Sequence, residues 1–313
     1  MIINFLIIIQ GKMKTSVVMT VYNGSKYLLE MLESLRTQTR KIDEVLIYDD
    51  RSTDRSQTLV CNYISKYNLD NWKLIVNQSN LGWEKNFTNG ICAASGDIIF
   101  PCDQDDIWHV DKIEKMADAF ENNDDILLLV SGYHAFSENG GKLEIQQHVR
   151  TETEEEISRV VFDEKYYQIC RPGCTMAFRK EIMPTFKALW KTGTPHDALL
   201  WAIASIQQRL YLFNETFIEY RRHDSNASKN ISHVYKYKVN EIDRTELVNN
   251  WYLNEFKVSY KKRKVIEQCT QWCLFRRKLI VDKKLAYWFK LWPLRRYYLK
   301  LKKYYGDLYY YLR

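Results

Sequence analysis

From Lys14 onward, short β-branched runs alternate with segments whose apolar residues recur every three or four positions. Residues 16–21 (SVVMTV) have the composition of a buried strand, and Tyr27, Leu28, Met31, Leu32 and Leu35 share one face of a helix over 26–38. The alternation then repeats. A strand at 44–48 precedes a helix carrying Leu59, Val60, Tyr63 and Ile64, which Ser52, Thr53 and Asp54 are placed to cap. A strand at 72–76 precedes a helix at 84–94. A strand at 97–100 follows the Ser95-Gly96 stop, then a helix at 110–121 and a strand at 126–131. Repeated βα units predict an α/β fold: a mostly parallel sheet flanked by helices and joined by right-handed crossovers. The second half is less regular. It predicts a helix at 151–161, a strand at 175–178, a strong amphipathic helix at 196–207, and a short hairpin of 211–213 with 216–220 about Asn214-Glu215. Residues 225–232 make a polar break before the C-terminal segment.

Charge divides the chain near the same place. Of the 46 Lys and Arg, 17 lie from Trp251 to the end, against 4 of the 39 Asp and Glu, so this tail carries +13 and the preceding 250 residues −6. Opposite signs point to two tasks. The tail also interleaves Tyr, Trp and Phe with its cations, as in AYWFKLWPLRRYYLKLKKYY. A nucleic-acid groove would use the same residue types, as would a helical interface with a solvated basic face. A helical extension lying on an anionic membrane surface is the expectation adopted, with no nucleic-acid partner. The organisation expected is residues 1–12 as a dispensable leader or mis-assigned start (Met13 being the alternative first residue), 13–230 as the catalytic domain and 231–313 as the membrane-associating extension. Met1–Ile9 is apolar for nine residues, about half of the roughly 20 that a spanning helix needs. It also lacks the basic start and small-residue cleavage site of a signal peptide. The seven cysteines, odd in number and scattered, fit reduced thiols in a cytosol. The two C-x-x-x-C pairs (Cys170/Cys174, Cys269/Cys273) come without CxxC spacing or a His cluster, so packing is expected rather than zinc.

In sheets of this kind ligands sit beyond the carboxyl ends of the strands, and three motifs fall there. Asp103-Gln104-Asp105-Asp106 follows the strand IIF. Three carboxylates in four residues repel one another unless a cation neutralises them, and their oxygens are hard ligands for Mg²⁺ or Mn²⁺. A solvated acidic turn at a helix N-terminus is the plainer alternative. Thr20-Val21-Tyr22-Asn23-Gly24 ends the first strand and Asp49-Asp50-Arg51-Ser52 the second. A Tyr22 ring could stack on a base and an Asp50 carboxylate could accept an imide N–H, or both motifs could be ordinary turn and cap chemistry. No GxGxxG follows the first strand and no GxxxxGK[ST] occurs, which excludes a dinucleotide fingerprint and a P-loop.

The ordered series SVVMTVYN, IYDDRSTDRS, NLGWEKNF, SGDIIFPCDQDDIW, GCTMAFRK, HDALLWAIA and YRRHDSNAS resembles the family 2 glycosyltransferases of GT-A fold, in their rhamnosyltransferase-like branch, over about residues 15–228. The resemblance implies a nucleotide-diphosphate sugar donor, held at the nucleoside by Thr20, Tyr22 and Asp50. Asp103 and Asp105 match the DxD element, with Asp106 beside them. Asp103 is assigned to the donor side, and Asp105, Asp106 and His223 to the Mg²⁺ or Mn²⁺ ion that bridges to the diphosphate. On sequence grounds any of the three carboxylates can be the ligand. Cys174 and Thr175 would line the sugar pocket, and Arg221 and Arg222 would reach the diphosphate. Asp197 matches the catalytic base, with His196 in a positioning or packing role. The family's Y-R-x-H element usually has Gln at the third place and Gly after His, whereas this chain has Arg222 and Asp224.

The chemistry agrees with those roles. Displacement at an anomeric carbon needs cations on the departing diphosphate and a base on the opposite face to take the acceptor's proton. The expectation is an inverting transfer of rhamnose from dTDP-rhamnose, or of a hexose from a UDP-sugar. The acceptor would be a lipid-linked surface glycan, met by an enzyme peripheral to the cytoplasmic face of the plasma membrane. The rivals are a sugar-phosphate nucleotidyltransferase, which would want a Gly-rich cationic loop in place of Tyr22-Asn23-Gly24-Ser25, and a non-catalytic sugar- or lipid-binding scaffold.

Overall fold

The computed structural model describes residues 11–138, 141–143, 149–169, 171–223 and 235–312. Residues 1–10, the whole of the 225–232 break, Cys170 and Asp224 lie outside them. The first half follows the alternation read from the sequence. The order is β1 (Thr15–Val21), α1 (Leu28–Arg36), β2 (Glu44–Asp49), α2 (Ser56–Tyr67), β3 (Trp72–Val76), α3 (Trp83–Ala93), β4 (Ile98–Cys102), β5 (Ile107–Trp108), α4 (Lys112–Asn122) and β6 (Leu128–Ser137). Beyond these come β7 (Lys142–Leu143), β8 (Ile157–Arg159), β9 (Met176–Arg179), α5 (Met183–Leu189), α6 (His196–Ile206) and β10 (Leu210–Arg222). Helices α7 (Tyr235–Glu255), α8 (Tyr260–Ile280), α9 (Ala286–Leu291) and α10 (Leu301–Leu312) complete the chain.

The strands form one ten-stranded sheet in the order β3-β2-β1-β4-β9-β6-β10-β5, with β7 on β6 and β8 on β10. β3, β2, β1 and β4 are mutually parallel, as is β6 with β10, while β9 inserts antiparallel between β4 and β6. Alternation along the strands builds a separate core on each face. Val17, Met19, Ile98, Phe100 and Leu129 face one core with α1 and α4, whereas Val18, Ile99, Leu128 and Val130 face the other with α6. The second core runs on into the tail through Ile242, Tyr252, Ile266 and Trp272. Tyr252 donates to the Ala202 carbonyl at 2.9 Å and Lys262 to that of Ile206 at 2.6 Å, so α7 and α8 are fastened to α6. Among the described residues no helix is long and apolar enough to cross a membrane.

Two sequence expectations fail. The segment 151–161 is not helical: Ile157–Arg159 is β8, and Thr151 bridges Val160. Its Glu-rich run offers no apolar stripe to bury, while edge pairing to β10 satisfies its backbone. The expected hairpin about Asn214-Glu215 is one continuous strand, β10, with a bulge there. The bulge is where β10 changes antiparallel partner, from β8 at Tyr211–Phe213 to β5 at Ile218–Glu219, while β6 runs along its other side.

Candidate active site

The loops at the carboxyl ends of β1, β2 and β4 are laced together. After β1, the amides of Asn23, Gly24 and Ser25 donate to Ser52 Oγ, Ser56 Oγ and Asp54 Oδ2 at 2.9–3.0 Å. Burial alone would raise the Asp54 carboxyl, but bonds from Ser56 and Ser25 outweigh it and hold the group at about 2. Asp54 also accepts from the amide of Ser56, the first residue of α2, at 2.9 Å, although Arg55 takes the N-cap position itself, with no side-chain cap bond. Gln104, inside the acidic motif, clamps the β1 loop: its Oε1 accepts from the Tyr22 amide at 2.9 Å and its Nε2 donates to the Tyr22 carbonyl at 3.2 Å. A Cβ on Gly24 would lie 2.2 Å from Gln104 Oε1, so a larger residue there would displace the clamp. Tyr22 is 48% exposed at the rim, and Thr20 is half-buried opposite Tyr48. Asp50 is buried. It accepts from Asn77 Nδ2 (2.8 Å), the Leu81 amide (2.7 Å) and the Gly82 amide (2.8 Å), anchoring the Asn80-Leu81-Gly82 loop to β2.

The acidic motif separates into two groups. Asp103, Asp106 and the Cys174 thiol bring one ligand atom each to within 4.8 Å of one another. Burial first, then the Asp105 charge and that of Asp197, push the Asp103 carboxyl up to about 7. Burial and the charges of Asp103 and Asp105 push Asp106 well above the carboxylate range. Asp106 Oδ1 accepts from the Arg221 amide at 3.1 Å, but Oδ2 is buried without a partner among the described residues. Asp105 turns the other way: its Oδ2 lies 2.7 Å from His223 Nε2, and its carbonyl accepts from Arg221 Nε at 2.9 Å. Arg221 is itself held between the Tyr27 and Phe136 rings, at 4.6 and 4.7 Å, and pairs with Glu30. Arg222, half-buried, reaches the Tyr220 hydroxyl at 3.5 Å.

Sequence reading missed Lys112. Its ammonium is fully buried beneath the cluster, donates to the Cys174 carbonyl at 2.7 Å and sits 4.0 Å from the Trp108 ring centre. Burial pushes it down to about 8, against the pull of Asp106 and Asp103. The signal was present, since Lys112 stands four residues before Met116 on the apolar face of α4. Gln104 gave no such signal.

A single 3₁₀ turn, Gly173–Thr175, brings Cys174 to the acids and presses against the start of α6. A Cβ on Gly173 would lie 2.7 Å from His196 Nε2 and 3.4 Å from Asp197 Cβ. Thr175 is buried and donates back to the Pro172 carbonyl at 2.7 Å. Asp197 is half-buried in the first turn of α6 and accepts from the Ala198 amide at 2.7 Å. His196 stacks on Phe87 at 4.2 Å with Trp83 edge-on, both ring nitrogens buried without partners among the described residues. The structure therefore gathers Asp103, Asp106, Cys174, Lys112 and Asp197 about one place, with Asp105, His223 and Arg221 as an adjoining unit.

The donor set fits a hard divalent cation. Two carboxylates converge, one with an unpartnered buried oxygen, which is the ligand chemistry Mg²⁺ and Mn²⁺ take. The Cys174 thiol, pushed well up by burial and then by the Asp106 charge, is the softer third group beside these carboxylates.

Comparison with known proteins gives this arrangement its context. The chain is 28% identical over 253 residues to the dTDP-rhamnosyl transferase RfbG of Shigella flexneri, covering 76% of this chain and 81% of that one. The structure of S. aureus TarS residues 1–349 with UDP-GlcNAc superposes with a TM-score of 0.63 at 18% identity, over 96% of this chain and 82% of that one. That of the mannosyltransferase PcManGT from Pyrobaculum calidifontis, with GDP-Man and Mn²⁺, does so at 0.53 and 12% identity, over 97% and 86%. These likenesses give the fold, a GT-A-like sheet with its helical companion. The profile of glycosyl transferase family 2 matches residues 16–186, from the first strand through the acidic motif to the helix after β9. With more than half of its length inside that match, the chain belongs to glycosyl transferase family 2.

Proposed function

We propose that the protein is an inverting, metal-assisted glycosyltransferase that moves a sugar from a nucleotide-diphosphate donor to a lipid-linked glycan acceptor at the cytoplasmic face of an anionic membrane. The observation that carries this reading is the convergence of half-buried Asp103 on buried Asp106, whose Oδ2 has no partner among the described residues, with Asp197 close enough to Asp103 for one charge to bear on another. Acids held this way without a counter-charge are unfavourable. A divalent ion held by these acids would relieve that and would supply Lewis-acid stabilisation to a leaving diphosphate.

In this reading Asp103 and Asp106 hold the ion, and Asp105 acts through His223 to fix the neighbouring strand end. Thr20, Tyr22 and Asp50 receive the nucleoside at the ends of β1 and β2. Arg222 meets diphosphate charge at the outer side, and Arg221, wedged between rings, sets the position of Asp105 and Asp106. Cys174 and Thr175 form the floor under the sugar. Asp197 takes the acceptor hydroxyl proton as the oxygen attacks the anomeric carbon, and the configuration inverts in that single displacement. The RfbG relative favours rhamnose from dTDP-rhamnose, and the TarS neighbour makes a UDP-hexose the second choice. Catalysis is assigned to residues 13–230 and membrane contact to 231–313.

A panel of nucleotide sugars with Mn²⁺ or Mg²⁺, scored by nucleoside-diphosphate release, tests the reading. One donor should turn over, and Asp197→Asn should lower kcat by roughly 10²–10⁴-fold while donor binding persists. Full activity in Asp197→Asn removes it as the base.

A further inference from the structure

Between Val281 and Leu312 the tail changes from buried packing to exposure. Phe289, Trp292, Leu299, Leu301, Tyr305 and Tyr309 are 42–65% exposed, and nine of the eighteen exposed large apolar side chains among the described residues fall in this tenth of the chain. The surface is rigid beneath. Arg276 grips Asp307 through two bonds of 2.7 and 3.1 Å, Tyr298 donates to the same carboxylate at 2.6 Å, and Trp288 stacks on Tyr304 at 5.0 Å. The two acids of the stretch are thereby engaged, Asp307 by Arg276 and Asp282 by Lys278 at 2.8 Å. The outward field is left to Lys290, Arg295, Arg296, Lys300 and Lys302.

In the same stretch lies an open cavity of about 430 Å³ lined by Pro293, Arg295, Arg296 and Leu301. Arg295 lies over the Trp292 ring at 4.6 Å and donates to the Trp292 carbonyl at 3.1 Å, with no carboxylate within ion-pair distance among the described residues. Arg296 is held by Gln268, with Glu164 3.5 Å away. Two guanidinium groups, aimed by ring stacking and side-chain bonds, at the edge of an apolar surface, match a phosphate group whose substituents are greasy.

We propose that this face docks on an anionic lipid bilayer, seating a lipid headgroup phosphate between Arg295 and Arg296 while Phe289, Trp292 and Leu301 enter the boundary between headgroups and acyl chains. The inference rests on the membrane reading above and fixes where contact is made. Apolar insertion and cation attraction act together on such surfaces, neither sufficing alone.

The test is sedimentation of the full chain with vesicles of neutral lipid alone or with a third of an anionic phospholipid. Wild type should partition to the anionic vesicles and release in high salt. Arg295→Ala with Arg296→Ala should lower that partitioning about thirtyfold, and Phe289→Ser with Trp292→Ser should do so independently of salt. All four side chains are exposed, so both variants should keep wild-type thermal stability and the same nucleoside-diphosphate release, which separates this inference from the catalytic one. Undiminished sedimentation of the double alanine variant overturns the headgroup site. Equal binding of wild type to neutral and anionic vesicles, or retention on single-stranded DNA without vesicle binding, overturns the docking face.

Discussion

Two charge clusters, one in the tail and one at the end of β4, are built on different principles. In the tail, Arg276 and Asp307 balance each other in charge: the guanidinium bonds both carboxylate oxygens, the Tyr298 hydroxyl adds a third bond, and Nη1, which makes no hydrogen bond among the described residues, lies 3.6 Å from the Glu241 carboxylate. At the end of β4, half-buried Asp103 faces buried Asp106, one Asp106 oxygen has no partner among the described residues, and Lys112 answers only part of the charge. A charge cluster that serves the fold alone sets opposite charges against each other. One that serves a ligand is left with an open demand, and its neighbours (Gln104, Arg221 and the Gly173 turn) hold it in place against its own repulsion.

The sharpest break of that contrast removes an acid from the open cluster. Asp106→Asn should abolish measurable nucleoside-diphosphate release, by about 10³-fold or more if the ion carries the leaving-group charge. It should leave folding intact or improve it, since a neutral amide relieves repulsion. The same change in the tail cluster acts oppositely. Asp307→Asn should cost about 3–5 kcal/mol of stability by stranding the buried Arg276 charge, read by chemical denaturation. Replacing both Arg276 and Asp307 with apolar residues of similar size should recover most of it. For the same reason, point substitutions probe the tail better than truncation from Trp272, whose buried ring belongs to the core shared with α6.

A smaller effect appears in the pH dependence of stability without metal. Asp103 has its folded value raised to about 7 from an ordinary value near 3.8. A carboxyl raised on folding contributes stability that is whole below about pH 4 and is lost as pH climbs through 7. The metal-free wild type should therefore lose melting temperature between pH 4 and 7 relative to Asp103→Asn. A difference that stays flat over that range shows Asp103 carrying no such burden. Smallest of all, Lys112→Met should shift metal affinity modestly while preserving the fold, because the apolar replacement keeps the packing under Trp108. Calorimetric titration of Mn²⁺ reads the change, and loss of the fold instead would make Lys112 a structural cation.

Much of this was legible in the chain. β3 begins and ends where the composition placed it, and the loops after β1, β2 and β4 carry the motifs that the carboxyl-end rule selects. What the sequence hid depends on partners far along it. The bulge at Asn214-Glu215 reads as a turn because those residues favour turns, and only the switch from β8 to β5 shows why the strand continues. Asp103 and Asp105 alternate as the DxD spacing suggests, yet Asp103 meets Asp106 while Asp105 meets His223, since the Arg221 amide draws Asp106 inward. Gly24 reads as half of an Asn-Gly turn, and nothing in that reading reveals the Gln104 amide packed against it.

The most direct measurement is calorimetric binding of a nucleoside diphosphate with and without Mn²⁺, in wild type and Asp106→Asn. Metal should tighten binding to wild type by at least an order of magnitude, about 1.4 kcal/mol, and leave Asp106→Asn unchanged. Equal affinity with and without metal in wild type, or the same metal-dependent gain in both proteins, contradicts the account of the acidic cluster.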